Sequence, residues 1–484
     1  MNQITQAKPH YLVLILVIFL VFSQALPVFA ATPPPIKFIW VGAIDRQFTE
    51  AEFQKIASTY GIMVFEATHA NAADNNFESY HQAARRLVAI NPDIKVFPYF
   101  NASSIRAGFD TAYINAGFRD EWYLRDLSGN KVIYHHKGLV HYVDLSNPQY
   151  RAWALNMLSS WLNKAPYSGI AFDSVNSLDE LESSNPRKLN AIGQTKIDAW
   201  NDGLKSLIRD AKSRFAGKTI IANGIANRLP DKNASNLVSA DMILNESFCV
   251  GLHEIVLKPK EELIAGIATG RSFATTGKIV LQKTNFGEAI NLGTPAQRSH
   301  AGRFCYGLFL LSYIPDKAYY KFGIGYGVND DKNVSEIEYV APELDIPLGT
   351  PTGPIYQRTG DLWSRKFTNG IVYLNMGTTN LTVNLPFNVT LINGNIPSTT
   401  YTAGQTVTIP KQDVKFFVKQ LPTLPADLTD QGDTSGDQVN QYDANQLKAD
   451  FGKTGVAGWI KADINDDGQV NIFDYNELVE NFGT

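Results

Sequence analysis

Between about Lys37 and Lys321 the chain alternates short apolar runs with longer segments in which apolar positions recur every three or four residues. The short runs are rich in β-branched and aromatic residues and too brief for helices, so they predict strands. Eight such runs occur: Phe38-Ile39-Trp40-Val41, Ile62-Met63-Val64-Phe65, Lys95-Val96-Phe97-Pro98-Tyr99, Gly169-Ile170-Ala171-Phe172, Thr219-Ile220-Ile221-Ala222, Asp241-Met242-Ile243-Leu244, Ile279-Val280-Leu281 and Ala318-Tyr319-Tyr320. The segments between them carry helix punctuation. Thr49 with Glu52 three residues on forms a capping box, and Gly61 marks the end of that helix. Asn147-Pro148 is an N-cap with a first-turn proline, followed by the apolar face of Trp153, Leu155, Leu158 and Leu162. Ile197, Trp200, Leu204, Leu207, Ile208 and Phe215 repeat at helical spacing too, which assigns their aromatic rings to the core. Strand and helix in alternation predict a parallel sheet, and eight repeats favour an α/β fold of the (β/α)8 TIM barrel type over an open doubly wound sheet. The barrel is expected over residues 31–344.

After Tyr339 the pattern changes to Pro, Gly and Thr with two-residue alternation, as in Gly370-Ile371-Val372-Tyr373-Leu374 and Leu381-Thr382-Val383-Asn384-Leu385. This predicts a small all-β, sandwich-like domain over residues 345–420. Leu421-Pro422-Thr423-Leu424-Pro425 opens a stiff linker, residues 421–428, because its prolines keep the chain extended. At the other end, residues 1–30 read as a signal peptide: Lys8, then the apolar run Leu12 to Phe22, then small residues up to Ala30. That run is shorter than the roughly 20 residues a membrane span needs. The expected location is therefore extracellular or at the cell surface, with no membrane span after cleavage.

Residues 429–484 contain one pattern twice. Val439-Asn440, Asp443, Asn445, Leu447 and Phe451-Gly452 recur as Val470-Asn471, Asp474, Asn476, Leu478 and Phe482-Gly483. The second copy begins Asp463-x-Asn465-x-Asp467-Gly468, followed by Gln469, Asn471 and Asp474, so oxygen donors fall where a twelve-residue calcium loop wants them and glycine takes the sharp turn. The first copy offers Asp433, Ser435, Asp437, Asn440 and Asp443, but Gln438 follows Asp437 directly, leaving that loop one residue short. A structural Ca2+ ion is the expected cofactor of this α-helical module, and none is expected for catalysis. These residues resemble the dockerin family, in which two calcium loops each open a helix and the pair docks onto a cohesin. The resemblance implies a cohesin-like or cell-surface protein partner. The residues before the last ligands, Gln441-Tyr442 and Ile472-Phe473, differ from the small hydroxylated pair common in cellulosomal dockerins.

A net charge of -4 and a pI near 6.1 exclude the basic stripe that nucleic acid requires. Aromatic content of 11% suits a surface that stacks sugar rings. Cys249 and Cys305 are the only cysteines, so they form either one bridge or two buried thiols.

In parallel barrels the working residues sit at the C-terminal ends of strands. Asp173 follows the fourth strand candidate and Glu246 the sixth, whereas Asp241 precedes the sixth and belongs to the stabilising face. Two carboxyl groups at a barrel mouth are the apparatus for breaking a glycosidic bond, one protonating the leaving oxygen and the other facing the anomeric carbon. Glu66, Tyr99, Asn101, Asn223, Lys283 and Lys321 lie at further strand ends as candidates to bond sugar hydroxyls, with Trp122 as a stacking wall. Arg125 and Asp126 read as a loop-bracing pair, Asp144 as an acceptor of loop amides, and His135, His136 and His141 lack the acidic partner of a zinc motif.

The segments Val96-Phe97-Pro98-Tyr99-Phe100-Asn101, Trp122-Tyr123-Leu124-Arg125-Asp126, Val143-Asp144-Leu145-Ser146-Asn147-Pro148 and Gly169-Ile170-Ala171-Phe172-Asp173 resemble the hypothetical TIM-barrel glycosyl hydrolase families. These are more distantly like endo-alpha-1,4-polygalactosaminidases and alpha-galactosidases. Arg365-Lys366-Phe367-x-Asn369-Gly370-x-Val372-x-x-Asn375 is similar to the β-domain that follows such barrels. The resemblance implies a retaining glycosidase acting on a polysaccharide or glycoconjugate, with Asp173 as nucleophile and Glu246 as general acid/base. The other expectation left open is a noncatalytic carbohydrate-binding or surface scaffold on the same shell.

Overall fold

The computed structural model describes residues 38–41, 48–65, 77–106, 110–133, 140–183, 185–225, 234–250, 256–285, 294–323, 346–393 and 396–419. The expected leader, linker and calcium-binding loops lie outside the described residues, as does Glu66. Among the described residues no helix is long and apolar enough to cross a membrane.

All eight apolar runs form strands. They are β1 (Phe38–Val41), β2 (Ile62–Phe65), β3 (Lys95–Asn101), β6 (Gly169–Asp173), β7 (Thr219–Asn223), β8 (Met242–Asn245), β9 (Ile279–Asn285) and β10 (Ala318–Gly323). They join in that order into one sheet whose pairs are all parallel. The first and last strands also touch each other, so the sheet is curled. Two small strands in the connection after β3, β4 (Ser104–Arg106) and β5 (Val140–Tyr142), pair antiparallel as a side ribbon that the apolar pattern does not announce.

Helix signals operate as the sequence predicts. Thr49 and Glu52 exchange both bonds of a capping box, although the cap at the other end is Tyr60, one residue before Gly61. The Asn147 side chain accepts from the amides of Gln149 and Tyr150 and starts the helix Pro148–Lys164. The helices cover the outer side of the sheet through Met63, Phe65, Val96, Phe100, Ile170, Phe172, Ile220, Ala222 and Ile243. The opposite side is filled by Phe38, Ile62, Val64, Phe97, Tyr99, Ala171, Ile221, Met242, Leu244, Leu281 and Tyr319. Two apolar faces explain why these strands read as continuous rather than alternating apolar runs.

Residues Pro33–Gln420 form one compact unit, so the expected β-domain is not set apart from the parallel sheet. Its larger sheet runs β11 (Tyr356–Thr359), β12 (Leu362–Phe367), β13 (Gly370–Asn375), β18 (Asp413–Lys419), β15 (Val389–Asn393), β16 (Ile396–Tyr401), and β14 (Leu381–Asn384) pairs with β17 (Thr406–Ile409). Phe367, Val372, Leu374, Val414 and Phe416 share a core with Phe304, Cys305, Leu308 and Leu311 of the helix Pro295–Ser312. Gly307 permits this approach, since a Cβ there would come within 2.4 Å of the Val414 side chain.

Two further ties fix that helix. Cys305 is bridged to Cys249, resolving the alternatives open in the sequence in favour of a disulfide. At the helix end the buried guanidinium of Arg365 donates through Nη1 to the carbonyls of Leu310, Leu311 and Tyr313, at 2.8, 3.1 and 2.6 Å. Those carbonyls have no intrahelical donor and carry the negative end of the helix dipole, so a cation is well matched there. Burial, with the neighbouring charge of Arg271, pushes Arg365 down to about 10, which still leaves it charged at neutral pH. Arg365→Met strands these buried acceptors and is expected to cost about 3 kcal/mol, read as a drop of several degrees in the calorimetric melting temperature. A change of under about one degree would contradict this role.

Candidate active site

Side chains on a strand alternate in direction, so the inward series on each strand can be followed to its end. It runs Phe97, Tyr99, Asn101 on β3; Ala171, Asp173 on β6; Ile221, Asn223 on β7; Leu244, then Glu246 beyond β8; Leu281, Lys283 on β9; and Tyr319, Lys321 on β10. The face changes from apolar to polar at the C-terminal end of every one of these strands. Asn101 and Asp173 are register partners, as are Lys283 and Lys321.

Asp173 and Glu246 meet through Asn223. Its Nδ2 donates to Asp173 Oδ1 at 2.7 Å and to Glu246 Oε2 at 2.9 Å. A single nitrogen within reach of both carboxylates limits the separation of those two oxygens to about 5.6 Å, the two bond lengths laid end to end. The other Asp173 oxygen accepts from the Tyr99 hydroxyl at 2.7 Å and from Ser174 Oγ at 3.3 Å. Glu246 Oε1 faces Lys283 Nζ at 3.7 Å. Burial raises Asp173 above its ordinary value and the charge of Glu246 adds to this, while the Tyr99 hydroxyl, the Ser174 backbone amide and the Asn223 side chain work in the opposite direction.

Backbone geometry sets these side chains. Ser174 sits at φ +54°, in the left-handed region that a non-glycine residue adopts at a cost, and it does so buried directly after Asp173. Ser103 Oγ holds the Ser174 carbonyl at 2.5 Å, and the Asp173 carbonyl accepts from the Ala102 amide at 3.0 Å. On the other side the Val175 amide donates to the Asn223 carbonyl at 2.8 Å. That close approach requires glycine at the next position, since a Cβ on Gly224 would stand 2.5 Å from the Val175 carbonyl oxygen.

Several residues predicted to bind sugar have other roles. Asn101 is consumed internally: Oδ1 accepts from the amides of Ser103 and Ser104, and Nδ2 donates to the Tyr99 hydroxyl and to Ser174 Oγ. It supports the residues that hold Asp173. Trp122 is 4% exposed, enclosed by Phe118, Tyr150 and Trp153 with the Arg119 guanidinium over its ring, so it is core and no stacking wall. Lys321 is buried and bonds the Tyr60 hydroxyl at 2.9 Å while lying over the same ring. Arg125 and Asp126 brace their loop separately, Arg125 to Asp120 and Asp126 to the amides of Ser128 and Asn130. Asp144 accepts from the Ser146 amide, and Asp241 pairs with Lys212 and the Ile220 amide at the start of the sheet, both structural as predicted. His141 lies against the Tyr123 ring, and His135 and His136 are outside the described residues. Ser174 is the one site residue the sequence does not flag, because nothing in its neighbours signals a left-handed serine.

Residues 88–371 match hypothetical glycosyl hydrolase family 15, a span that runs from the end of the helix before β3 to the start of β13. No curated protein matches the sequence. Among solved structures, the alpha-amylase from Geobacillus thermoleovorans in complex with acarbose is similar over 81% of this chain and 100% of its own, at 8% identity and TM-score 0.46. The pullulanase from Bacillus acidopullulyticus is similar over 81% of this chain and 61% of its own, at 11% identity and TM-score 0.46. The glycoside hydrolase domain of PelA from Pseudomonas aeruginosa is similar over 61% of this chain and 96% of its own, at 14% identity and TM-score 0.37. With a family match over more than half its length and two carboxylates joined at the strand ends, the chain is a glycosidase that belongs to hypothetical glycosyl hydrolase family 15.

Proposed function

We propose that this chain is a secreted, retaining glycosidase acting on a polysaccharide or glycoconjugate, built on a fully closed TIM barrel. The observation that carries the proposal is the Asn223 amide shared by Asp173 and Glu246. The upper limit of about 5.6 Å that it sets on the two facing oxygens is compatible with the roughly 5 to 5.5 Å of retaining enzymes and lies below the roughly 6.5 to 9.5 Å that an inverting enzyme needs for its intervening water. Asp173 is the nucleophile. Three donors converge on it, which is what an ionised carboxylate needs, and Tyr99 and Ser174 aim one of its oxygens.

In the first step an Asp173 oxygen bonds to the anomeric carbon as the glycosidic C–O bond breaks, and Glu246 gives its proton to the departing oxygen. In the second, Glu246 takes a proton from water, the water oxygen bonds to the anomeric carbon, and the ester to Asp173 breaks.

Export is supported by the leader-like residues 1–30 and by the Cys249–Cys305 bridge, since such bonds persist in oxidising compartments. The two Asp/Asn-rich repeats beyond residue 428 would bind Ca2+ and tether the enzyme to a cohesin-like or surface partner. Equilibrium dialysis of the full chain is expected to give one tight calcium site, lost in the Asp463→Ala/Asp467→Ala variant. Unchanged uptake by that variant would remove those residues from the ligand set.

Hydrolysis of a panel of polysaccharides and oligosaccharides tests the central reading. Asp173→Asn and Glu246→Gln should each lower kcat/KM by about a thousandfold or more, and NMR should show the product first released in the substrate's anomeric configuration. Turnover that survives Asp173→Asn, or an inverted product, would refute the assignment.

The same site predicts a stability effect of opposite sign. The folded protein holds the Asp173 proton more tightly than the unfolded chain does. As pH rises through the raised folded value, a charge must therefore be accommodated in the buried site and stability falls. Below about pH 4, the ordinary range for Asp, the group is protonated in both states and the penalty vanishes. Asp173→Asn should accordingly raise the melting temperature at pH 7, with the gain disappearing towards about pH 3.5. A gain independent of pH would contradict the electrostatic origin.

A further inference from the structure

Lys283 was a candidate to bond sugar hydroxyls, yet its side chain is fully buried, 0% exposed. It lies on the strand next to Glu246. Leu244 pairs with Leu281 and Asn245 with Gln282, so continuing the register brings Glu246 level with Lys283. The segment that carries Glu246 then folds back across the end of β9. Ser247 forms an antiparallel bridge with Thr284, and the Phe248 amide donates to the Lys283 carbonyl at 3.1 Å. Lys283 thus meets this segment twice, by its carbonyl and by its ammonium.

The two oxygens of Glu246 are divided between neighbours. Oε2 takes the Asn223 amide on the Asp173 side, and Oε1 faces Lys283 Nζ at 3.7 Å, within ion-pair range but longer than a hydrogen bond. Two carboxylates on one amide repel each other, and a buried ammonium demands a counter-charge. The ammonium of Lys283 beside Glu246 answers to both demands. Lys321, the register partner of Lys283, bonds the Tyr60 hydroxyl.

We propose that Lys283 is a positioning residue, the internal counter-ion that lets Glu246 stand as a carboxylate beside Asp173 and keeps its Oε1 turned towards β9. The proposal rests on the reading of Glu246 as acid/base, because that group must become negative each time it gives up its proton. Lys283 then acts through Glu246 and touches no sugar.

A thermal double-mutant cycle at pH 7 tests this without any substrate. Lys283→Met is expected to lower the melting temperature by several degrees in the wild-type background and by at most about half as much in the Glu246→Gln background, where the paired charge is absent. Equal losses in both backgrounds would mean a packing role and overturn the proposal. Should Lys283→Met fail to fold, folding of the Lys283→Met/Glu246→Gln double variant supports the proposal and its failure overturns it. On any glycan that the wild type hydrolyses, Lys283→Met should lower kcat about tenfold or more with KM within about threefold. A raised KM with unchanged kcat would return Lys283 to sugar binding. If the wild type hydrolyses nothing in the panel, the glycosidase mechanism fails, while the stability cycle still decides the role of Lys283.

Discussion

Two carboxylates of like charge share one amide nitrogen, and the architecture around them can be understood as what keeps them there. Left to itself such a pair would move apart, since like charges repel and both groups stand half-buried at the end of an apolar sheet. Asn223 bridges them, Tyr99 and Ser174 complete the donors on Asp173, and Lys283 stands behind Glu246. Each of these residues is at or beside the end of a parallel strand. The register of β3, β6, β7, β8 and β9 therefore determines the chemistry, and a slip of one residue would turn the polar ends outward into the helices.

The second half of the support comes from outside the parallel sheet. Glu246 lies on a segment that leaves β8, and three residues later that segment is bonded through Cys249 to the helix Pro295–Ser312. The same helix is held along its length by the β-domain core and at its end by Arg365. The β-domain is thereby connected to the segment that carries Glu246 through one helix and one covalent bond. Asp173 needs no such external frame, because Ser103, Ala102 and Val175 fix its turn from within the sheet.

Much of the fold was legible in the sequence because burial on both sides forces strands to be continuously apolar, and eight such runs are hard to misread. The two carboxylates were legible for a related reason: Asp173 and Glu246 interrupt apolar runs at their C-terminal ends, where a charge has no packing purpose. The strand-end rule was less informative about neighbours. It marked Tyr99, Asn101, Asn223, Lys283 and Lys321 alike, yet Tyr99 and Asn223 bond the carboxylates, Asn101 is spent on turn amides, and Lys321 is bonded to Tyr60. Partner choice depends on distances across strands, which the order of residues along one strand does not encode. Trp122 was misassigned because an aromatic on a loop reads the same whether it faces sugar or, as here, three other rings. The left-handed Ser174 and the capping role of Arg365 arise only in the folded backbone.

The central claim is that Asp173 forms a covalent bond to sugar while Glu246 handles the proton. Peptide mapping by mass spectrometry, after the Glu246→Ala variant has been incubated with an activated 2-fluoro glycoside of the sugar it cleaves, tests this directly. The account predicts one glycosyl adduct, carried by the peptide that contains Asp173. An adduct on another carboxylate, or none with a glycoside that the wild type hydrolyses, would contradict it.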